Sequence, residues 1–343
     1  MEQALNTLFV MTQNAYVHLD HETVKVEVER ELKLQVPLHH LGAVTLFGNV
    51  MVSPGLLGKC AEDGRAVTWL DRNGHFQGRL EGPVSGNVLL RKAQWEAVFA
   101  EAARLSIARN MVAGKIQNAR GSLLRSAREA DAEEDRQALH RTAESLGAIL
   151  LRLPVADNLD VLRGMEGDAA ESYFSVFTMM VRGDRETFLY AGRSRRPPRD
   201  PVNALLSFLY ALLLSDCLGA LQGVGLDPQA GFLHALRPGR PALGLDLMEE
   251  FRPILADRLA LSLINRKQVT RDGFDFREGG AVLLNEKGRK AVVVAYQERK
   301  KETLTHPMLD QKVSLGLIPH IQARLLARVL RGDLEGYPPF LYK

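Results

Sequence analysis

A change of hydrophobic period near residue 85 constrains this chain more than any other feature. Before it, Thr23 to Glu29 (TVKVEVE) alternates apolar and polar side chains at period two. LFVMT near Leu8, AVTLFG near Val44, AVTWLD near Val67 and HFQGRL near Phe76 are short β-type runs bounded by Gly, Asn and Asp. One helical signal interrupts them, where Ser53 supplies an N-cap, Pro54 a first helical position and Gly64 a terminator. Dense punctuation follows from Gly82-Pro83 to Gly86-Asn87. From Arg91 the pattern is helical, with Trp95, Val98, Phe99, Ala102 and Ala103 on one stripe. Helical patterns then run near 91–128, 132–153, 158–181, 201–222, 245–266 and 311–332, with a hairpin-like stretch around Phe274 to Leu284. The expected fold is α+β: a small β-rich domain over residues 1–85, then a larger, mostly α-helical domain over 86–343. No internal period of solenoid length is present.

With 343 residues, 46% apolar and 25% charged, the chain can support two separate cores and is too hydrophobic for disorder. The N-terminus lacks a basic stretch followed by an apolar one, and no run approaches ~18 uninterrupted apolar residues. No membrane partner and a cytoplasmic location are therefore expected. Cys60 and Cys217 lie far apart with no Cys or His cluster around them, which argues against a zinc site or a disulfide framework. Any metal must be held by oxygen and imidazole.

Charge is distributed unevenly. Between Ala103 and Arg128 stand six cations (Arg104, Arg109, Lys115, Arg120, Arg125, Arg128) and no acidic residue. Cations spaced along a helix suit a phosphate backbone without reading sequence, although a solvated helix face would look the same. Arg193, Arg195, Arg196 and Arg199 in a proline-stiffened loop, with Arg266, Lys267 and Arg271, tilt the balance toward a polyanion. Few aromatics interleave, so backbone contact along a DNA duplex is expected over stacking on single strands.

Three segments carry chemistry. In GMEGDAAESYF, Glu166 interrupts a helical stripe of Leu162, Ala169, Ala170, Tyr173 and Phe177, and an ionised carboxylate placed there must meet a positive group, either a metal or a salt-bridging arginine such as Arg163. GLDLMEEFRPILADRL places Asp246, Glu249, Glu250 and Asp257 opposite a buried stripe of Met248, Phe251, Leu255 and Leu259. Like charges at such spacing repel by a few tenths of a kcal/mol per pair, and a divalent cation reverses that sign. Pro253 removes the helical hydrogen bond to the Glu249 carbonyl, so a kink is expected there. The third segment, DPQAGFLHALRPGRPAL, sets His234 among Arg237 and Arg240. Two glutamates and one histidine suit manganese or magnesium.

In this order the segments resemble the CRISPR-associated spacer-acquisition integrase family. GMEGDAAESYF is similar to its GxEGxxAxxY helix, PVNALLSFLYALL to the long helix that follows, and GFLHALRPGRPALGLDLMEEFRP to its combined histidine and acidic motif. The resemblance covers most of residues 90–335. It implies that Glu166, His234 and Glu249 are the catalytic, metal-ligating residues for Mg2+ or Mn2+, with Asp246 and Glu250 as second choices. It further implies a homodimer formed through the β-rich domain, a small ferredoxin-like CRISPR adaptation partner, and metal-dependent insertion of short DNA into repeat arrays by 3′-hydroxyl transesterification. Two other functions remain open: a non-catalytic DNA-binding assembly subunit, and a structure-specific nuclease outside adaptation.

Overall fold

A computed structural model describes residues 7–74, 76–82, 88–194 and 197–342. The chain forms two compact units, one comprising the chain up to residue 86 together with Lys300–Glu302, the other residues 87–299 and 303–343. The first is β-rich and the second mostly helical, as the change of period predicts. The expected boundary between residues 85 and 86 lies outside the described residues, as do Arg195 and Arg196 of the basic loop.

The first unit contains β1 (Thr7–Val10), β2 (Ala15–Asp20), β3 (Thr23–Val28), β4 (Glu31–Pro37), β5 (Ala43–Phe47), β6 (Val50–Val52), α1 (Pro54–Glu62), β7 (Ala66–Leu70) and β8 (Phe76–Arg79). They form two four-stranded sheets, ordered β1-β5-β7-β8 and β4-β3-β2-β6. In the first sheet β1, β5 and β7 are parallel and β8 is an antiparallel edge. Alternation in β3 buries Val24 and Val26, which share one core with Val17, Val44, Leu46 and Val67 from both sheets and with Leu56 and Cys60 of α1. The Ser53 hydroxyl caps α1 by accepting the Leu56 N–H at 3.2 Å. Strands β2, β4 and β6 were not expected. The run ELKLQVP does alternate polar and apolar residues at period two, but its burial does not follow that alternation, and Leu32 and Leu34 remain exposed.

The second unit begins with α2 (Val88–Phe99), α3 (Glu101–Glu129), α4 (Glu133–Arg152) and α5 (Leu159–Ser175). The pattern expected to run unbroken from 91 to 128 is two helices, because Ala100 adopts extended backbone between them. Helix α6 (Pro201–Val224) is capped by Asp200, starts on Pro201 and ends on Gly225 at φ 90°. It is long and apolar enough to cross a membrane, but 61% of its most apolar window is buried within the protein, where it packs on α7 (Ala242–Glu249) and other helices. It is the central core helix of the unit. A π-helical segment, Arg252–Asp257, links α7 to α8 (Arg258–Asn265). The kink expected at Pro253 is therefore a change of helix type.

The hairpin is β9 (Phe274–Phe276) with β10 (Val282–Leu284). Then come α9 (Glu286–Lys301), β11 (Thr303–Thr305), β12 (Lys312–Ser314) and α10 (Ile318–Leu330). Helix α9 lies where no helical pattern was expected, between the hairpin and the run near 311–332. Its sparse buried positions hide among Lys, Arg and Glu.

Candidate functional site

Helices α3, α5 and α7 bring two of the expected residues, Glu166 and Glu249, onto one cation. Glu249, at the end of α7, is 2% exposed, and Glu166 on α5 retains 24% of its side-chain exposure. The Lys115 ammonium of α3 lies between them. It donates to Glu166 Oε1 and stands 2.6 Å from Glu249 Oε2. That second contact is a buried ion pair at hydrogen-bonding distance. Arg252, one turn beyond Glu249, pairs with its Oε1 at 3.0 Å and lies over the Tyr210 ring at 4.8 Å. Two carboxylates and two cations thus form a neutral quartet. Burial pushes the Glu249 carboxyl up, but Arg252 and then Lys115 outweigh it and hold the group below the ordinary carboxylate range. Burial likewise works against charge on Lys115, and Glu249 and Glu166 overcome it, raising the ammonium above its usual value.

The positive group that Glu166 had to meet is therefore Lys115, not Arg163. Arg163 pairs with Asp160 and donates from Nε to the Leu233 carbonyl at 2.9 Å. Lys115 itself had been grouped with the helical phosphate-binding run. Its spacing from Glu166 in the chain gave no signal of contact.

His234 is positioned by Asp246. The fully buried Asp246 carboxylate accepts backbone N–H groups of Phe232 (2.6 Å), Leu233 (3.0 Å) and His234 (2.9 Å), and its Oδ1 lies 2.6 Å from His234 Nδ1. A carboxylate so placed accepts, so Nδ1 carries the proton and Nε2 presents its lone pair. Arg104 and Arg163 clamp the same loop from the other side through the Phe232 and Leu233 carbonyls, each at 2.9 Å. Gly231 is required here, since a Cβ would come within 2.8 Å of Asp246 Oδ2 and 2.7 Å of the Ala242 backbone. The imidazole is near enough to Glu249 to help lower its pKa.

The four acids of the second motif do not gather on one exposed face. Asp246 holds the His234 loop, Glu249 enters the quartet, and Asp257 accepts from Tyr210 Oη at 2.6 Å. Glu250 turns away to meet Tyr337 and Phe340. All four are at most 2% exposed. The break between α7 and the π segment rotates successive side chains to different sides, which straight helical spacing could not anticipate. Glu250 thus does not flank Glu166 and His234. Much of the basic run also turns inward: Arg104, Arg109 and Arg120 donate to carbonyls of Phe232, Ala156 and Ala143, while Arg125 is exposed and pairs with Glu129. Of the cations singled out in the sequence, Arg128, Arg199, Arg237, Arg266, Lys267 and Arg271 are also exposed among the described residues.

The donor types suit a hard divalent cation: two carboxylates that already share one cation, and one imidazole oriented by a buried acid. In the present arrangement both carboxylates close on an ammonium. Among the described residues no three His, Cys, Asp or Glu side chains converge as an ion cage.

A β-rich unit followed by a mostly helical unit, in which Glu166 and Glu249 meet on Lys115 and Asp246 orients His234, defines a mixed α and β protein with a buried, charged candidate site. The model of the CRISPR associated protein Cas1 family matches residues 8–298. A CRISPR-associated endonuclease Cas1 of Moorella thermoacetica is 58% identical over the full length of both chains. A Cas1 protein from Thermotoga maritima superposes with a TM-score of 0.82 at 25% identity, covering 98% of this chain and all of the other. A casposase bound to its integration product shares the fold, with a TM-score of 0.83 at 21% identity, 98% of this chain and 94% of that one. The chain belongs to the CRISPR-associated Cas1 family.

Proposed function

We propose that this protein is a metal-dependent DNA endonuclease and integrase that inserts short DNA fragments into CRISPR repeat arrays. The observation that carries this reading is the convergence of Glu166 and Glu249 on one cationic point, beside an imidazole oriented by a buried carboxylate. Curated relatives named as CRISPR-associated endonucleases support it, and so does the fold shared with a casposase that carries an integration product. Glu166, Glu249 and His234 would hold Mg2+ or Mn2+, which when bound polarises a phosphoryl oxygen and lowers the pKa of an attacking hydroxyl.

The chain's own groups do the rest. Asp246 keeps the proton on His234 Nδ1, so Nε2 faces the site as an acceptor. Arg252 neutralises Glu249 and can follow charge that develops on a phosphodiester in transit. Lys115 keeps the two carboxylates apart while the site is empty of DNA, and supplies a cation toward a phosphate when they are engaged elsewhere. The 3′-hydroxyl of a short DNA then attacks a phosphodiester at a repeat edge, the bond to the departing 3′-oxygen breaks, and that oxygen leaves as a new 3′-hydroxyl. Water in place of the hydroxyl gives cleavage. Exposed cations such as Arg128, Arg199, Arg237, Arg266, Lys267 and Arg271 are available to the DNA backbones. The protein works in the cytoplasm as a homodimer through its β-rich unit, with a small ferredoxin-like adaptation partner.

The test is joining of a short 3′-hydroxyl duplex into a repeat-bearing supercoiled plasmid, with the partner present and with Mn2+, Mg2+ or chelator. Metal-dependent joining by wild type that vanishes in folded, DNA-binding Glu249→Ala is the expected result. A non-catalytic assembly subunit is the second reading, favoured by the closure of both carboxylates on Lys115. Joining undiminished in Glu249→Ala would establish that the site residues are structural.

A further inference from the structure

The helix break that brings Glu249 inward also removes the bonds that would hold it. Pro253 has no N–H for the Glu249 carbonyl. The Ile254 N–H, the ordinary partner of the Glu250 carbonyl, bonds to Phe251 instead at 3.2 Å. The Glu250 carbonyl finds its partner elsewhere in the chain. Asn118 Nδ2 donates to the Glu250 carbonyl at 2.9 Å and to the Phe340 carbonyl at 2.8 Å, and its Oδ1 accepts the Tyr342 N–H at 2.8 Å. The fully buried Glu250 carboxyl takes Tyr337 Oη at 2.6 Å and the Phe340 N–H at 2.7 Å. Gln322 Nε2 closes the network on Tyr337 Oη at 3.0 Å and the Pro338 carbonyl at 2.8 Å.

The segment 337–342 is thus strapped to α3, α10 and the α7 break. Phe340 and Tyr337 are each 1% exposed. The strap reaches the site from behind at a second point. A Cβ on Gly114 would lie 2.8 Å from Pro339 Cβ and 3.1 Å from Glu250 Cγ, so Pro339, Gly114 and Glu250 are in close packing. Gly114 adjoins Lys115 and Glu250 adjoins Glu249, the two partners of the buried ion pair. The strap begins beyond residue 298, where the matched family region ends.

We infer that Glu250 is a positioning residue, through which the C-terminal strap sets the register of Glu249 against Lys115. Its role rests on the proposed catalysis at that site. Glu250 touches no DNA and holds no ion. It fixes a stretch in which the Glu249 and Glu250 carbonyls lose their ordinary helical partners, and the strap and Asn118 hold it in turn.

The test compares Glu250→Leu, Glu250→Gln and Tyr337→Phe in the full chain with its partner, by joining kinetics and thermal melting. Glu250→Leu keeps volume but accepts nothing; a ten-fold or greater loss of kcat with KM for DNA unchanged within two-fold is expected. Glu250→Gln keeps an acceptor for Phe340 N–H and a donor for Tyr337 Oη, and restores kcat to within three-fold of wild type. If Glu250→Leu does not accumulate folded, Tyr337→Phe carries the same expectation at about five-fold. Wild-type kcat in either folded variant, or a Gln variant as impaired as Leu, overturns the inference. A melting cycle reads the coupling without activity: losses from Glu250→Leu, or Tyr337→Phe in its place, and from Lys115→Met fall short of additive in the double variant. Additive losses overturn the inference even where wild type joins no DNA, an outcome that by itself counts only against the proposed function.

Discussion

Removing the Lys115 ammonium tests how the quartet is balanced. Lys115→Met keeps most of the side-chain volume and leaves Glu166 and Glu249 facing each other with Arg252 as the nearby cation. The Lys115 side chain is 12% exposed and that of Glu249 3%, so solvent screens the pair weakly. At an effective dielectric near 20, a close pair is attracted by about 4 kcal/mol or more, and part of this is offset because the variant no longer buries an ammonium. Breaking one side of a buried pair costs about 3–5 kcal/mol in measured cases. For a unit of this size that is a fall of roughly 6–20 °C in melting temperature. A divalent ion at about 100 times its Kd would return ~2.7 kcal/mol, and more of that gain should appear in Lys115→Met than in wild type, where the ammonium must first be displaced. Calorimetric melting of both proteins, with chelator and with Mn2+, measures this. A loss under about 1 kcal/mol, or an equal metal shift in the two proteins, would refute the assignment of Lys115 as the cation that closes both carboxylates.

Three further outcomes follow from neighbouring groups. Asp246→Asn turns one acceptor oxygen into an N–H2 among four donors, so joining activity should fall about 10–100-fold with the fold retained, read by kinetics beside circular dichroism. Asp257 is pushed up to about 6 by burial, against the Tyr210 hydrogen bond and Arg252. Its stabilising effect is complete below the usual 3.8 and is lost as pH rises through about 6, so wild type should lose about 1–2 kcal/mol relative to Asp257→Asn between pH 5 and pH 8 in urea unfolding. Glu249, shifted the opposite way to about 2, acts below that window. Gly114→Ala forces Pro339 or Glu250 to move and should cost about 1–3 kcal/mol, measured by the same unfolding.

Much of the architecture was legible because it rests on local period and punctuation. TVKVEVE became β3, the Ser53-Pro54 cap began α1, and the helical runs from 132, 158 and 201 start within a residue of the observed helices. Pro253 announced the break that lets Glu249 enter the core. What escaped notice depends on contacts between residues distant in the chain. Lys115 looks like five neighbouring cations until α5 and α7 fold against α3. Asp246 looks like one of four acids until the turn before α7 returns three N–H groups to it. Glu250 looks exposed because helical spacing assumes one helix type, and the π segment does not keep it. The charge runs misled for a related reason, since a guanidinium that caps backbone carbonyls has the same local sequence as one facing phosphate.

Diffraction at the manganese edge from crystals equilibrated with Mn2+ tests the metal centre most directly. An anomalous peak bounded by Glu166, Glu249 and His234, with the Lys115 ammonium moved off both carboxylates and the peak absent in Glu249→Ala, is the predicted result. No peak there at saturating Mn2+, with Lys115 still joined to both glutamates, would contradict it.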